Sequence, residues 1–273
     1  MTCTGGTYRS VTPRTRPTFY GVAVSRAPSF APVDVVARTL RVELTAARSR
    51  RGGAAPRVLD VGGGSGTWAV PLAADGCEVT VVDSSANALA VLRSRARESG
   101  VAGGVRAVQG DVDALADVVA EAEADLVLGH GLLEYVDDPA EACRALALAT
   151  VPGGALSLLV AGRFAAVLSR VVAGRLEEAR RVLVDPSGRW GANDPLRRRM
   201  DVEEIRTLVE VDGQLSVERV QGHRVLADLV PDGVLDSGGA VPDPLAELED
   251  IAAGTPPLRD MASQLHVLAR RPG

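Results

Sequence analysis

The sequence predicts an α/β fold: a doubly wound, mostly parallel sheet with helices on both faces. Three observations carry this. Short apolar runs alternate with helical periods from residue 57 to residue 160. A glycine-rich turn joins the first such run to the segment after it. Apolar residues make up 46% of the 273, yet aromatics only 3%, so Ala, Val and Leu must fill the core. Layers of helix on sheet suit those side chains better than a β-sandwich does.

The elements follow in order. Residues 1–32 are rich in Thr, Pro, Arg and Gly without a period, and are expected to form a flexible arm. The remainder, 33–273, reads as one domain. Residues 34–49 suit a helix, with Val36, Leu40 and Leu44 on one face. A Gly/Pro break ends at Pro56, and 57–61 is a strand. A helix is expected over 67–74, a strand over 78–83 and a helix over 85–99. Strands at 105–108, 125–128 and 154–160 then alternate with helices at 113–122 and 138–149. The pattern loosens at 163–200, read as one helix (164–173) and an insertion rich in Arg and Gly. A helix over 201–209, capped by Asp201, precedes strands at 216–226 and 264–270, with a short helix near 245–251 between them.

Composition excludes several classes. All thirty basic residues are arginine, and the formal net charge is −5, so no global field attracts nucleic acid. Cys3, Cys77 and Cys143 are too scattered for a metal site or a disulfide framework. No apolar run approaches the length of a membrane span, and the polar start of the chain lacks a signal-peptide core. A soluble, cytoplasmic protein is the expectation, with no membrane partner and no metal.

Four motifs fall at the carboxyl ends of four successive strands, where open α/β sheets bind ligands. The first is Asp60-Val61-Gly62-Gly63-Gly64-Ser65-Gly66. Glycine there allows a sharp turn and a close backbone approach by a ligand. The spacing Gly62-x-Gly64-x-Gly66 is not the G-x-G-x-x-G of dinucleotide enzymes, which speaks against a nicotinamide oxidoreductase. It suits S-adenosylmethionine (SAM), whose amino-acid end needs helix amides for its carboxylate and an acceptor such as Asp60 near its cation. Asp83, with Ser84 beside it, ends the second strand, where a carboxylate accepts the two ribose hydroxyls. Gln109, Asp111 and Val112 follow the third, Asp111 to accept from the adenine amino group and Val112 to pack on the ring. His130-Gly131-Leu132-Leu133-Glu134-Tyr135 follows the fourth, where the transferred methyl would sit.

This order resembles the class I SAM-dependent methyltransferases, whose sheet closes with an antiparallel strand pair. The segments His130 to Pro139, Val172-Ala173-Gly174, Gly222 to Val225 and Leu265 to Arg270 resemble, more narrowly, the bacterial tRNA 5-carboxymethoxyuridine methyltransferases. That resemblance implies that Gly62 and Gly63 contact the amino-acid end and Asp83 the ribose. It also implies that His130 lies beside the methionine end. An arginine on the first helix would touch the cofactor, and Arg38 and Arg41 both qualify. Where that family has an Arg-Tyr pair before the last strand, this chain has Ser263-Gln264.

The acceptor stays open between tRNA and a small molecule. A carboxylate acceptor needs only a cation, Arg224 or Arg163, to place it. A hydroxyl or amine needs a proton acceptor, and His130 is the candidate. Arg224 has a competing reading as a partner of an acidic residue. The run Arg197-Arg198-Arg199 reads as internal pairing before nucleic-acid contact. A non-catalytic SAM-binding protein is the alternative from another class.

Overall fold

A computed structural model describes residues 34–230 and 243–273. The expected arm at 1–32 lies outside the described residues. Seven strands form one sheet: β1 (Arg57–Val61), β2 (Glu78–Asp83), β3 (Val105–Gln109), β4 (Ala124–His130), β5 (Thr150–Ala161), β6 (Ser216–His223) and β7 (Gln264–Arg270). Their order is β3-β2-β1-β4-β5-β7-β6. The pairs β1–β2, β1–β4, β2–β3 and β4–β5 are parallel, while β7 runs antiparallel to both β5 and β6. The chain order reverses between β1 and β4, the switch point at which such sheets open a crevice.

Two apolar layers flank the sheet. On one face lie α1 (Val35–Arg50), α2 (Ala69–Ala74) and α3 (Ala86–Glu98), with Val36, Leu40, Leu72, Leu89 and Leu92 packed on Val58, Val81 and Leu128. On the other lie α4 (Pro139–Ala149) and α7 (Val202–Glu210), with Leu146 and Ile205 packed on Val127, Leu156 and Val267. The helix starts are set by short polar side chains. Asp34 accepts from the amides of Val36 and Ala37, Ser85 from Ala88, and Asp138 from Ala140 and Glu141. Asp201 does cap α7, and Glu204 returns a bond to the Asp201 amide, closing a capping box.

Three expectations are corrected. The helix over 113–122 is a short 3₁₀ segment, Val112–Asp117, broken by non-helical Ala114 and followed by left-handed Ala122. Residues 163–200 hold two helices, α5 (Arg163–Val172) and α6 (Leu176–Val184), turning at Gly174 with φ 71°. The strand expected to reach residue 226 ends at His223, because Arg224 has φ 57° and leaves the extended region. The helix near 245–251 is α8 (Asp243–Gly254). No described helix is long and apolar enough to cross a membrane.

Candidate functional site

The carboxyl ends of β1 to β4 converge on one cleft. Gly62, Asp83, Ser84, Asp111, Val112 and Tyr135 are among the residues that line it. A larger cavity of about 300 Å³ lies at the opposite, amino ends of the same strands, between Arg57, Glu78 and Arg106. Ligands of open α/β sheets bind at the carboxyl ends, which makes the first cleft the candidate site.

The glycine loop owes its path to specific neighbours. Gly62, Gly64 and Gly66 have φ of 75°, 55° and 80°. A side chain at Gly66 would also collide with Leu92 of α3. Gly63 serves a different purpose: a Cβ there would run into the Asp60 carboxylate. Asp60 ends up 1% exposed beneath the loop, and its Oδ2 has no hydrogen-bond partner. Burial, reinforced by the nearby Asp83, pushes its carboxyl up to about 7. An orphaned carboxylate under a backbone cradle fits a cationic ligand group, which would pay back the lost solvation.

Asp83 holds the loop from the other side. Its Oδ2 accepts from the Gly64 amide at 2.9 Å and its Oδ1 from the Ser85 amide at 2.8 Å. A carboxylate has about four lone-pair sites, so capacity is left for ligand hydroxyls. Gln109 reaches back to the Ser84 carbonyl at 3.3 Å, and Asp111 caps the 3₁₀ turn at the Asp113 amide. Val112 is 4% exposed and offers the cleft an apolar wall.

His130 closes β4. Its ring stands edge-on to Trp68, with centroids 4.9 Å apart. Nε2 is 2.8 Å from Ser157 Oγ, and buried Nδ1 has no partner. Burial holds its pKa well below the ordinary 6.5, and the neighbouring His266 and His223 lower it further. Glu134, four residues on, is buried, with Oε1 accepting from the Ala161 amide at 2.6 Å and Oε2 unpartnered. Burial lifts it to about 7.

Arg38, Arg163, Arg224, Arg197, Arg198 and Arg199 are each engaged within the fold. Arg38 makes two hydrogen bonds to Asp250 of α8 and is not among the residues that line the cleft. Arg163 is buried, donating to the carbonyls of Asp185 and Pro186 and pairing with Glu204. Arg224 pairs with Asp228, the competing reading of that residue. The basic run binds the insertion to the loop after β4. Arg197 pairs with Asp137, and Arg198 donates to the carbonyls of Leu133, Val136 and Asp137. Arg199 forms a buried two-bond pair with Asp194, at 2.7 and 3.1 Å. Trp190 is covered as well, with the guanidinium carbons of Arg170 and Arg199 at 3.5 and 4.0 Å from its ring centroid.

Sequence reasoning missed Trp68, Ser157, Gln221 and Thr39. Ser157 had one visible signal, a lone hydroxyl inside the apolar run Ala155-Leu156-Ser157-Leu158-Leu159. Among the described residues no group of three His, Cys, Asp or Glu could hold a metal.

Comparison with known proteins agrees with this geometry. Residues 58–154 match a family model described as a methyltransferase domain. A solved S-adenosylmethionine-dependent methyltransferase from Mesorhizobium loti superposes with a TM-score of 0.56 at 20% identity, covering 86% of this chain and 96% of that one. The chain has the class I SAM-dependent methyltransferase fold. Two curated relatives are similar over part of the chain. The tRNA 5-carboxymethoxyuridine methyltransferase of Escherichia coli K12 is 32% identical over 121 residues, 44% of this chain and 46% of that protein. A ubiquinone biosynthesis O-methyltransferase of Xanthomonas axonopodis pv. citri is 36% identical over 137 residues, 50% of this chain and 54% of that protein. The chain thus spans about half the length of the curated relatives it matches.

Proposed function

We propose that this protein is a SAM-dependent methyltransferase that alkylates an oxygen nucleophile on a small-molecule acceptor. The observation that carries the cofactor is Asp60: a buried carboxylate with an unpartnered oxygen, beneath a loop that has room for it only because residue 63 is glycine. When bound, SAM supplies an electrophilic methyl on a sulfonium. Asp60 would face the ammonium, and the loop around Gly62, Gly63, Gly64 and Gly66 would cradle the amino-acid end. Asp83 and Ser84 would meet the ribose, and Gln109, Asp111 and Val112 the adenine. His130 would stand at the methionine end beside the acceptor. The protein's main contribution to the displacement is alignment of donor and acceptor.

For the acceptor, the engagement of the arginines supports a small molecule. A tRNA site needs free cations for phosphates and aromatic faces for bases. Arg197, Arg198, Arg199 and Trp190 are all engaged within the fold. Arg224 could place a carboxylate acceptor only by leaving Asp228. The second reading, a tRNA acceptor, is favoured by the Escherichia coli relative.

Calorimetric titration with SAM, S-adenosylhomocysteine and NAD tests the cofactor. Binding of the first two and not the third is expected; a folded sample that binds neither sulfur ligand overturns the proposal. Titration with bulk tRNA over a salt series tests the acceptor class. A steep loss of affinity with salt would favour tRNA, since phosphate contacts release counterions.

A further inference from the structure

Below α1, one layer of polar side chains crosses four neighbouring strands. His130 Nε2 on β4 lies 2.8 Å from Ser157 Oγ on β5. The same Oγ lies 2.8 Å from His266 Nε2 on β7. His266 Nδ1 lies 3.3 Å from Gln221 Oε1 on β6, and Thr39 Oγ1 on α1 lies 2.9 Å from that oxygen and 3.0 Å from the Val35 carbonyl. Ser157 and His266 are fully buried. The residues alternate with Leu156, Leu158, Leu265 and Val267, which face the opposite core, so the pleat collects the polar groups on one side.

Each link carries one proton, so the orientation of the Gln221 amide, with Oε1 toward His266 and Thr39, sets the direction of the whole chain. Gln221 Oε1 can only accept, so the proton of His266 sits on Nδ1. Burial keeps His266 neutral, pushing its pKa down to about 3, so its Nε2 is a lone pair. The single hydroxyl proton of Ser157 is then donated to His266 Nε2. Ser157 Oγ is left to accept from His130 Nε2–H. The neutral His130 ring has no second proton, so its Nδ1 is a lone pair, buried and unpartnered.

We propose that Ser157, His266 and Gln221 are positioning residues that lock His130 in its Nε2–H tautomer, presenting Nδ1 as a preset acceptor for an N–H or O–H donor of the bound ligand. The part concerning the ligand rests on the reading of this strand end as the cofactor site; the tautomer does not. Presetting matters because a ring free to flip or exchange tautomers would spend part of its time offering a donor to a donor. The layer also explains a buried serine and histidine in the middle of an apolar sheet, which would otherwise only cost solvation.

Nitrogen-15 correlation spectra of the three ring systems in the full chain test this directly, with assignment by single His→Gln variants. Pyridine-type Nδ1 and pyrrole-type Nε2 are expected for His130, with the reverse for His266. Ser157→Ala, which removes one oxygen from a buried site, should leave the fold intact by circular dichroism and convert the single His130 pattern into averaged tautomers. Added S-adenosylhomocysteine should move the His130 Nδ1 signal and leave that of His266 in place. A pyrrole-type Nδ1 on His130, or an unchanged pattern in Ser157→Ala, would overturn the relay. A relay that stands but ignores S-adenosylhomocysteine would instead count against the cofactor site.

Discussion

Replacing Asp60 by Asn isolates the cost of keeping a carboxylate beneath the glycine loop. Asp60 is 1% exposed, and burial raises its pKa from the ordinary 3.8 to about 7. At about 1.4 kcal/mol per pH unit, that difference is worth about 4 kcal/mol. The sign follows from proton counting. Between pH 4 and 7 the unfolded chain has released this proton while the native state still holds it. Native stability therefore falls as pH rises through that window, and levels off above about 7. His266 and His130 act oppositely, because burial keeps them neutral while the unfolded chain protonates them below about 6.5. The informative quantity is thus the difference between wild type and Asp60→Asn. Urea unfolding at pH 4.5, 6 and 8 should show the variant gaining about 3 kcal/mol on wild type across the range. Affinity for SAM should move the other way: it should rise with pH in wild type as Asp60 ionises, and stay low and nearly flat with pH in the variant. A pH-independent difference in stability would refute the burial argument. Unchanged affinity for SAM in the variant would refute the placement of the cation.

Four further outcomes follow. Gly66→Ala forces a side chain into Leu92 at a φ of 80° and should cost about 2–4 kcal/mol in chemical denaturation. Asp83→Ala should weaken SAM binding by at least about 1 kcal/mol in calorimetry, through lost ribose hydrogen bonds and a released Gly64 amide. Arg199→Met strands Asp194 in a buried site and should destabilise by about 3–5 kcal/mol, with Arg199→Met/Asp194→Leu recovering much of it in the same assay. Cys77 and Cys143 are buried, with burial lifting their thiols to about 11 and about 12; both should resist a thiol reagent at pH 8 until denaturant is added.

The sheet was legible because its signals are local and repeated. The runs at β1, β2 and β3 are short, apolar and bounded by Gly, Pro or Asp, and the candidate cofactor motifs sit where those runs stop. Other features were opaque for physical reasons. Residues 113–122 have helical composition, but the broken turn at Ala114 and left-handed Ala122 are decided by tertiary packing. The α6 helix was hidden because its Arg-rich surface, Arg180 and Arg181, pairs with Glu177 on the same helix and reads as a loop when only charge is counted. In the site, Asp60, Asp83 and His130 stood out by position at strand ends. Ser157 and Gln221 did not, since their role depends on residues 109 and 45 positions apart becoming neighbours. The arginines show the converse: a dense basic run looks available in sequence, and only the fold reveals that carbonyls and acids already claim it.

The edge-on pair of Trp68 and His130 has a practical consequence. The chain has only two tryptophans, and the other, Trp190, lies under two guanidiniums in the insertion. One indole therefore watches the loop that would hold the sulfonium donor, and the second watches the segment above the strand ends. With Trp190 replaced by Phe, emission from Trp68 alone would time the arrival of a ligand in a stopped-flow mixer. With Trp68 replaced, Trp190 would report whether the insertion moves in step with it or later. The order of the two signals would separate loading of the cleft from its closure, without any label attached to the protein.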